Sequence, residues 1–191
     1  MKETTAKKKF MWNMAGSLCN SLSSMLLLII VNRISGESRG GFFALAYSTA
    51  QLLFSVGGFE IRPVQSTDIK NKFTFNQYFT SRMLNCIIML ICMIGYIVVN
   101  GYTGVEALTV FWILGYRMVE AVADVYSGLF QQRERIDISG KEMLMRSGIS
   151  TITFTIILWL TDNLLYAAMT LTLTSLVIML FYDLHMKKYF E

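Results

Sequence analysis

The chain has 191 residues, of which 54% are hydrophobic and only 16% are charged, and its mean hydropathy is +0.48. A soluble domain usually carries about 25% charged residues, so this composition excludes an ordinary soluble domain and indicates an integral membrane protein. The net charge of +4 is therefore treated first as a topology signal in the loops. No nucleic-acid partner is expected.

Several classes of enzyme are excluded by residues that the sequence lacks. The three cysteines lie in apolar runs without a CxxC pair, and His185 is the single histidine. These residues support neither a disulfide framework nor a zinc site, and a nucleophile–histidine–acid triad would depend on one ring. No Walker-type glycine loop is present. We predict a protein that is not an enzyme and that uses no cofactor or metal ion.

Apolar runs predict an all-α integral membrane bundle of about six transmembrane helices. The predicted spans are residues 10–31, 41–59, 83–99, 105–130, 145–160 and 164–184. Their lengths are close to the ~17–25 residues that a helix needs to cross the hydrocarbon core. The first run is too long for the apolar part of a signal peptide, and no small-residue cleavage site follows it. No long linker interrupts the series, so residues 1–191 are treated as a single six-helix lobe.

The positive residues give this bundle an orientation. Of the 17 Lys and Arg residues, fourteen fall in segments on one side of the six spans, whereas Arg33 and Arg39 fall on the other and Arg117 lies within a span. Lys and Arg concentrate in cytoplasmic loops, so the distribution predicts that both termini are cytoplasmic (N-in/C-in). It also requires all six spans, because the loss of one would reverse every later segment.

Polar side chains recur at helical spacing within the first two spans. Asn13, Ser17, Asn20 and Ser24 share one face of the first span, and Gln51 stands between two serines on one face of the second. An amide in hydrocarbon needs hydrogen-bond partners. The stripe therefore marks either hydrogen bonds between helices or the wall of a hydrated cavity.

The fourth span carries three ionisable residues, Arg117, Glu120 and Asp124, at successive turns of one face. Charges at membrane depth are costly and mark substrate or ion paths more often than ordinary packing. One interpretation is an ion pair that fixes helix packing. The other is a cavity wall, in which Arg117 attracts an anionic group while Glu120 or Asp124 takes up a proton or a sodium ion. The candidate cavity residues are thus Arg117, Glu120, Asp124, Gln51, Asn20 and Asn13.

Three segments resemble bacterial polysaccharide flippases. They are residues 33–46, which begin Arg33-Ile34-Ser35-Gly36-Glu37, residues 57–65, which include Arg62-Pro63, and residues 124–137, with Gly140, Lys141 and Arg146 continuing the last similarity. The family is the polysaccharide transporter branch of the multidrug/oligosaccharidyl-lipid/polysaccharide exporter superfamily. It includes the flippases for lipid-linked precursors of lipopolysaccharide O-antigen and of capsule.

The resemblance covers nearly the whole chain and implies a function. Members of the family move a polyprenyl-diphosphate-linked oligosaccharide from the inner to the outer leaflet of the bacterial plasma membrane. The resemblance also implies a cationic central cavity and alternating access between two six-helix lobes. Membrane lipids and a lipid-linked oligosaccharide are the expected partners.

This chain corresponds to one lobe, the N-terminal one. It is therefore expected either to be a fragment or to pair with a second six-helix lobe or with copies of itself, because repeat-built transporters bind substrate between their halves. Two alternatives stay open from the residues alone. One is a non-catalytic membrane subunit, and the other is a membrane enzyme that acts on lipid-linked sugars.

Overall fold

A computed structural model describes residues 5–58, 61–68, 70 and 72–189 of the chain. Over these residues the structure is a bundle of α-helices without a strand, which confirms the predicted all-α class. The helices are α1 (Ala6–Gly58), α2 (Ile61–Thr67), α3 (Phe75–Val99), α4 (Gly104–Gln132), α5 (Ile136–Thr161) and α6 (Leu164–Lys187).

The first two predicted spans are the two arms of α1. Gly36 interrupts the helix with φ 83° and ψ 172°, a backbone conformation that glycine adopts without steric cost. Residues 6–35 and 37–58 then run antiparallel, since the Tyr47 Oη donates a hydrogen bond to Ser24 Oγ at 3.0 Å. The predicted spans implied a loop between residues 31 and 41, and that prediction is wrong. Both arms stay helical up to a single glycine.

Helix ends differ elsewhere from the predicted spans. α3 begins at Phe75 and not at residue 83, because Thr74 and Gln77 form a reciprocal capping box in front of it. α5 begins at Ile136, nine residues before the predicted start. The short helix α2 was not predicted. Hydropathy identifies only the apolar part of a helix, so it does not predict the polar turns by which a helix extends beyond that part. The predicted end of the second span at residue 59 lies outside the described residues.

Within the described part of the chain, four helices, namely α1, α3, α5 and α6, are long and apolar enough to cross a membrane. α4 is not among them, because its charges lower its hydropathy. It contacts every other helix of the bundle, and most of its length is buried, including Val110, Leu114, Ala121 and Val125. The neighbouring helices therefore shield α4 from lipid, which is how a segment with three central charges fits in a membrane bundle.

The outward faces of α3, α5 and α6 are apolar. Large exposed side chains include Ile91 on α3, Ile152 and Trp159 on α5, and Phe181 on α6. Such surfaces would be unfavourable in water and are ordinary in contact with lipid tails. The chain is accordingly a multi-pass membrane protein, as its composition predicted.

The two ends of the bundle are defined by contacts between distant segments. At one end Lys9 Nζ donates to the Glu134 carbonyl at 2.9 Å, close to the N-terminal part of the described chain. At the other end, beside the Gly36 break, Arg39 Nη1 pairs with Asp162 Oδ2 at 3.0 Å. We call these the terminal end and the break end. The predicted N-in/C-in orientation would place the terminal end in the cytoplasm.

Candidate functional site: a polar cavity between α1 and α4

A cavity of about 440 Å³ lies between the two arms of α1 and the middle of α4. We call it the polar cavity. Its lining is hydroxyl, amide, aromatic and charged rather than aliphatic. The lining residues are Asn20, Ser21, Ser24, Tyr47, Ser48, Gln51, Phe54, Arg117 and Glu120. Four of the six residues predicted for a substrate cavity are therefore brought together, namely Asn20, Gln51, Arg117 and Glu120.

Glu120 is held from two helices. Its Oε2 accepts a hydrogen bond from Arg117 Nη1, one turn earlier on α4, and its Oε1 accepts from Asn20 Nδ2 of α1 at 2.8 Å. The sequence offered an ion pair and a cavity wall as alternatives. The structure has the pair within the wall, because both residues also line the cavity.

Arg117 is fixed by an aromatic ring as well as by Glu120. Its Cζ lies 4.4 Å from the centroid of the Tyr47 ring, a cation–π distance, and Tyr47 is in turn anchored to Ser24. Only 3% of the residue is exposed. Its Nε and Nη2 have no hydrogen-bond acceptor within the described part of the chain. The guanidinium is therefore held at the cavity, and two of its nitrogens can still donate hydrogen bonds.

The charge of the polar cavity is close to balanced. The resemblance to flippases implied a cationic cavity, and Arg117 does line it. Glu120 lines it too and pairs with Arg117 directly. In the low-dielectric interior of a bundle such a pair offsets most of each partner's field. The cavity is therefore better described as polar with one shielded cation than as strongly cationic.

Asn13 and Asp124, the other two candidates, are placed elsewhere. Asn13 lies where α1 crosses α5, and its backbone packs against Gly140. Small residues at such crossings allow two backbones to approach closely. Neither Asn13 nor Asp124 is among the residues that line the polar cavity.

Asp124 instead joins α4 to α2 and α3 near the terminal end. Its Oδ1 accepts from Arg62 Nη1 at 3.1 Å and its Oδ2 from Arg82 Nη2 at 2.8 Å. Two arginines thus contact one carboxylate, and the Arg62 side chain is the more exposed of the two. Sequence reasoning missed both partners. Arg82 fell just before the predicted third span, and only the earlier start of α3 puts it on a helix.

The connection between α2 and α3 is organised by Asp68. Its carboxylate accepts from the backbone amides of Lys72 and Phe73 at 2.9 and 3.0 Å, and its own carbonyl accepts from Gln132 Nε2 at 2.6 Å. The two amide hydrogen bonds hold the pKa of Asp68 below its usual value. This loop therefore fastens α2 and its Arg62 to the end of α4.

Comparison with known proteins adds one finding. A family model described as "Polysaccharide biosynthesis protein" matches residues 6–191. Searches of curated proteins and of solved structures find no significant match to this chain. The match covers all six helices of the described bundle. The chain therefore belongs to the polysaccharide biosynthesis protein family of multi-pass membrane proteins.

Proposed function

We propose that this chain is a lobe of a transporter that moves a polyprenyl-diphosphate-linked oligosaccharide across the bacterial plasma membrane. The observation that carries the proposal is the polar cavity, which opens between α1 and α4 in a bundle whose other outward faces are apolar. Family membership supports the broader role in membrane transport for polysaccharide synthesis.

The chemistry of the cavity suits an oligosaccharide. Asn20 and Gln51 provide amide groups, and Ser24 and Ser48 provide hydroxyls, all of which can donate and accept hydrogen bonds. A sugar presents the same mixture of donors and acceptors. The cavity volume lies within the range typical of small-ligand sites, so it fits a short part of a glycan and not a whole repeat.

The diphosphate would first meet Arg62, whose side chain is partly exposed beside Asp124 at the terminal end. Guanidinium groups bind phosphate oxygens in a bidentate manner. With the terminal end in the cytoplasm, this cation stands where a lipid-linked substrate enters, and Arg117 would be met later, deeper in the bundle.

The arrangement favours transport over chemical conversion. Of the described residues that line the cavity, Glu120 is the carboxylate, and it is already engaged by Asn20 and Arg117. A carboxylate held in this way is a poor general base, since the paired guanidinium stabilises its charged form. We therefore propose that the lobe binds and releases its substrate unchanged.

We further propose that a second six-helix lobe, or a second copy of the chain, covers the open side of the cavity. Ser17 and Ser21 are exposed within the apolar run of the first α1 arm. Polar groups in contact with lipid lack partners, whereas a facing lobe or water supplies them. Substrate would then pass between the halves, as in other repeat-built transporters.

The test is a leaflet-exposure assay for lipid-linked glycan in cells with and without the gene. Deletion is expected to abolish exposure on the outer leaflet, and Arg117→Ala is expected to reduce it strongly. The matched control is Arg39→Ala, which removes an arginine paired with an exposed carboxylate at the break end and should keep exposure near the wild-type level.

Each result decides a different part of the proposal. Unchanged exposure on deletion would reject the transport function and favour a non-catalytic membrane subunit. Normal exposure with Arg117→Ala would reject only the role of that residue in the cavity.

A further inference from the structure

A second charged cluster lies outside the lining of the polar cavity, between α5 and α6 toward the terminal end. We call its three members, Glu142, Arg146 and Asp183, the acid cluster. Arg146 Nε donates to Glu142 Oε1 at 2.6 Å, one turn apart on α5. Each of the three residues is at most 2% exposed, so the cluster is closed to solvent.

The register of the α5–α6 hairpin brings Asp183 opposite Glu142. Asp162 and Asn163 alone connect the two helices, and the Asn163 side chain caps α6. Glu142 lies twenty residues before Asp162, and Asp183 lies twenty residues after Asn163. A hydrogen bond of 3.3 Å from Thr153 Oγ1 to Thr174 Oγ1 ties the same two faces together nearer the turn.

Asp183 is buried without a hydrogen bond. It is 1% exposed, and neither Oδ1 nor Oδ2 has a donor among the described residues. Glu142 Oε2 and Arg146 Nη1 are likewise without a partner there. Buried carboxylates are normally paired or hydrogen-bonded when they are charged, and a lone one takes up a proton instead.

The charges around Asp183 do not balance. The groups that act on it from α5 are Glu142 and Arg146, and the neighbouring Tyr182 is neutral at ordinary pH. From α4, Glu120 acts on Arg146, but Arg117 already pairs with Glu120. The two arginines thus face three carboxylates, which leaves one negative charge in excess.

We propose that Asp183 and Glu142 form a buried carboxyl pair that binds one exchangeable proton, with Arg146 as the counter-charge for the second carboxylate. The geometry assigns the ligand as a proton and not a metal cation, because the Arg146 guanidinium occupies the same cluster and would repel a cation. The site does not depend on which molecule passes through the polar cavity.

The pair is placed to couple protonation to a change of shape. Both carboxyls lie at the interface of α5 and α6. The charge of Glu120 in the cavity wall also acts on Arg146. Loss of the proton would leave two carboxylates against one arginine, and the repulsion would favour separation of the two helices or entry of water. Uptake of the proton would restore the closed interface.

Infrared spectroscopy of the purified full chain in lipid nanodiscs tests the proposal directly. Exposed Asp and Glu have reference pKa values of about 4, so near neutral pH only a protected carboxyl keeps its proton. The wild type should show the carbonyl stretch of a protonated carboxylic acid, shifted in D₂O, and the band should disappear as the pH is raised.

Both Asp183→Asn and Glu142→Gln should abolish that band, because each removes one of the two carboxylates and leaves one acid for one arginine. Ser175→Ala, a buried neutral change on α6, and Glu106→Gln, an exposed carboxyl, are the controls that should retain it. A wild type without the band would overturn the proposal, as would a band that survives either acid variant. A band removed by sodium ions at constant pH would overturn it in favour of a cation site.

Discussion

The polar cavity and the acid cluster are built from the same unit, an arginine and a glutamate one turn apart on a helix. In the cavity, Arg117 and Glu120 balance each other, and Asn20 and Tyr47 supply further contacts. In the cluster, Arg146 and Glu142 face a second carboxyl, Asp183, and several polar atoms have no partner within the described residues. An arginine–glutamate pair one turn apart thus lines a cavity in one place and leaves an uncompensated charge in the other, according to what packs against it.

The largest effect should come from removal of the cation of the acid cluster. Arg146→Met leaves two buried carboxyls without a counter-charge, and the loss of one partner of a buried pair costs about 3–5 kcal/mol. Unfolding of the purified protein by SDS in mixed micelles should show a loss of this size.

Asp183→Asn is the matched variant, since it removes the excess charge and should cost little or even stabilise the protein. Wild-type stability in Arg146→Met would mean that the cluster is solvated and that the contrast with the cavity is false.

The equivalent change in the polar cavity should be milder. Glu120→Gln removes the partner of Arg117, and hydrogen bonds to charged groups contribute about 1.5–3 kcal/mol. Arg117 keeps its contact with Tyr47, and it can use water or an anion in the cavity. The same unfolding assay should therefore give a smaller loss than Arg146→Met, and this loss should shrink when sulfate or diphosphate is added.

The anion response is what separates the two regions. Arg146→Met has no open cavity beside it and should show no such rescue. If added diphosphate fails to stabilise Glu120→Gln, the cavity does not bind anions through Arg117.

A third variant tests the crossing of α1 and α5, which joins the helix of the cavity to the helix of the cluster. A Cβ at Gly140 would overlap the backbone of Trp12 and Asn13, and one at Gly16 would overlap Gly140. Gly140→Val should cost about 1–3 kcal/mol through overpacking, measured by thermal unfolding.

Gly95→Ala is the control, since a Cβ there meets no described atom within 4 Å. Equal stability of the two variants would mean that α1 and α5 separate easily, and the two regions would then be mechanically independent.

The smallest effect concerns pH at the terminal end. The folded pKa of Asp68 is depressed below its ordinary value of 3.8 by the amides of Lys72 and Phe73. Its contribution to stability is therefore complete above about pH 4 and is lost as the pH falls below 3.8 through the folded pKa. Hydrogen exchange of the amides of residues 72 and 73 should rise in that window.

Asp68→Asn should remove this pH dependence and leave the acid band of the Asp183–Glu142 pair unchanged. An exchange rate that does not respond to pH in the wild type, after correction for intrinsic exchange, would show that the carboxylate does not hold the loop.

Much of the fold followed from the sequence because hydropathy and helical spacing act locally. The apolar runs located the helices, and the stripe containing Asn20 pointed to the side where the cavity lies. The ends of the helices were harder to predict from the sequence. α3 starts at a capping box, and the arms of α1 extend through the predicted loop as far as Gly36. These depend on single hydrogen bonds and on one backbone angle, which average hydropathy does not register.

For the site, the sequence identified the charged helix but not the partners of its charges. Asp124 was grouped with Arg117 and Glu120 because it shares their face, yet Arg62 and Arg82 draw it into a separate cluster. Asp183 went unnoticed because it lies near the end of a span, close to Lys187 and Lys188, where a charge looks ordinary. The signal that could have identified Asp183 is its position between two hydrophobic residues, Tyr182 and Leu184.

The sequence by itself determined the membrane class, the helical architecture and the helix that carries charge at membrane depth, because each follows from the free energy of transferring side chains between water and hydrocarbon. Only the tertiary structure decided which carboxylates are compensated. That outcome depends on which arginine, amide or ring from another helix comes within a few ångströms, and transfer free energies carry no information about it. The balanced pair at the polar cavity and the unbalanced Asp183 differ for this reason alone.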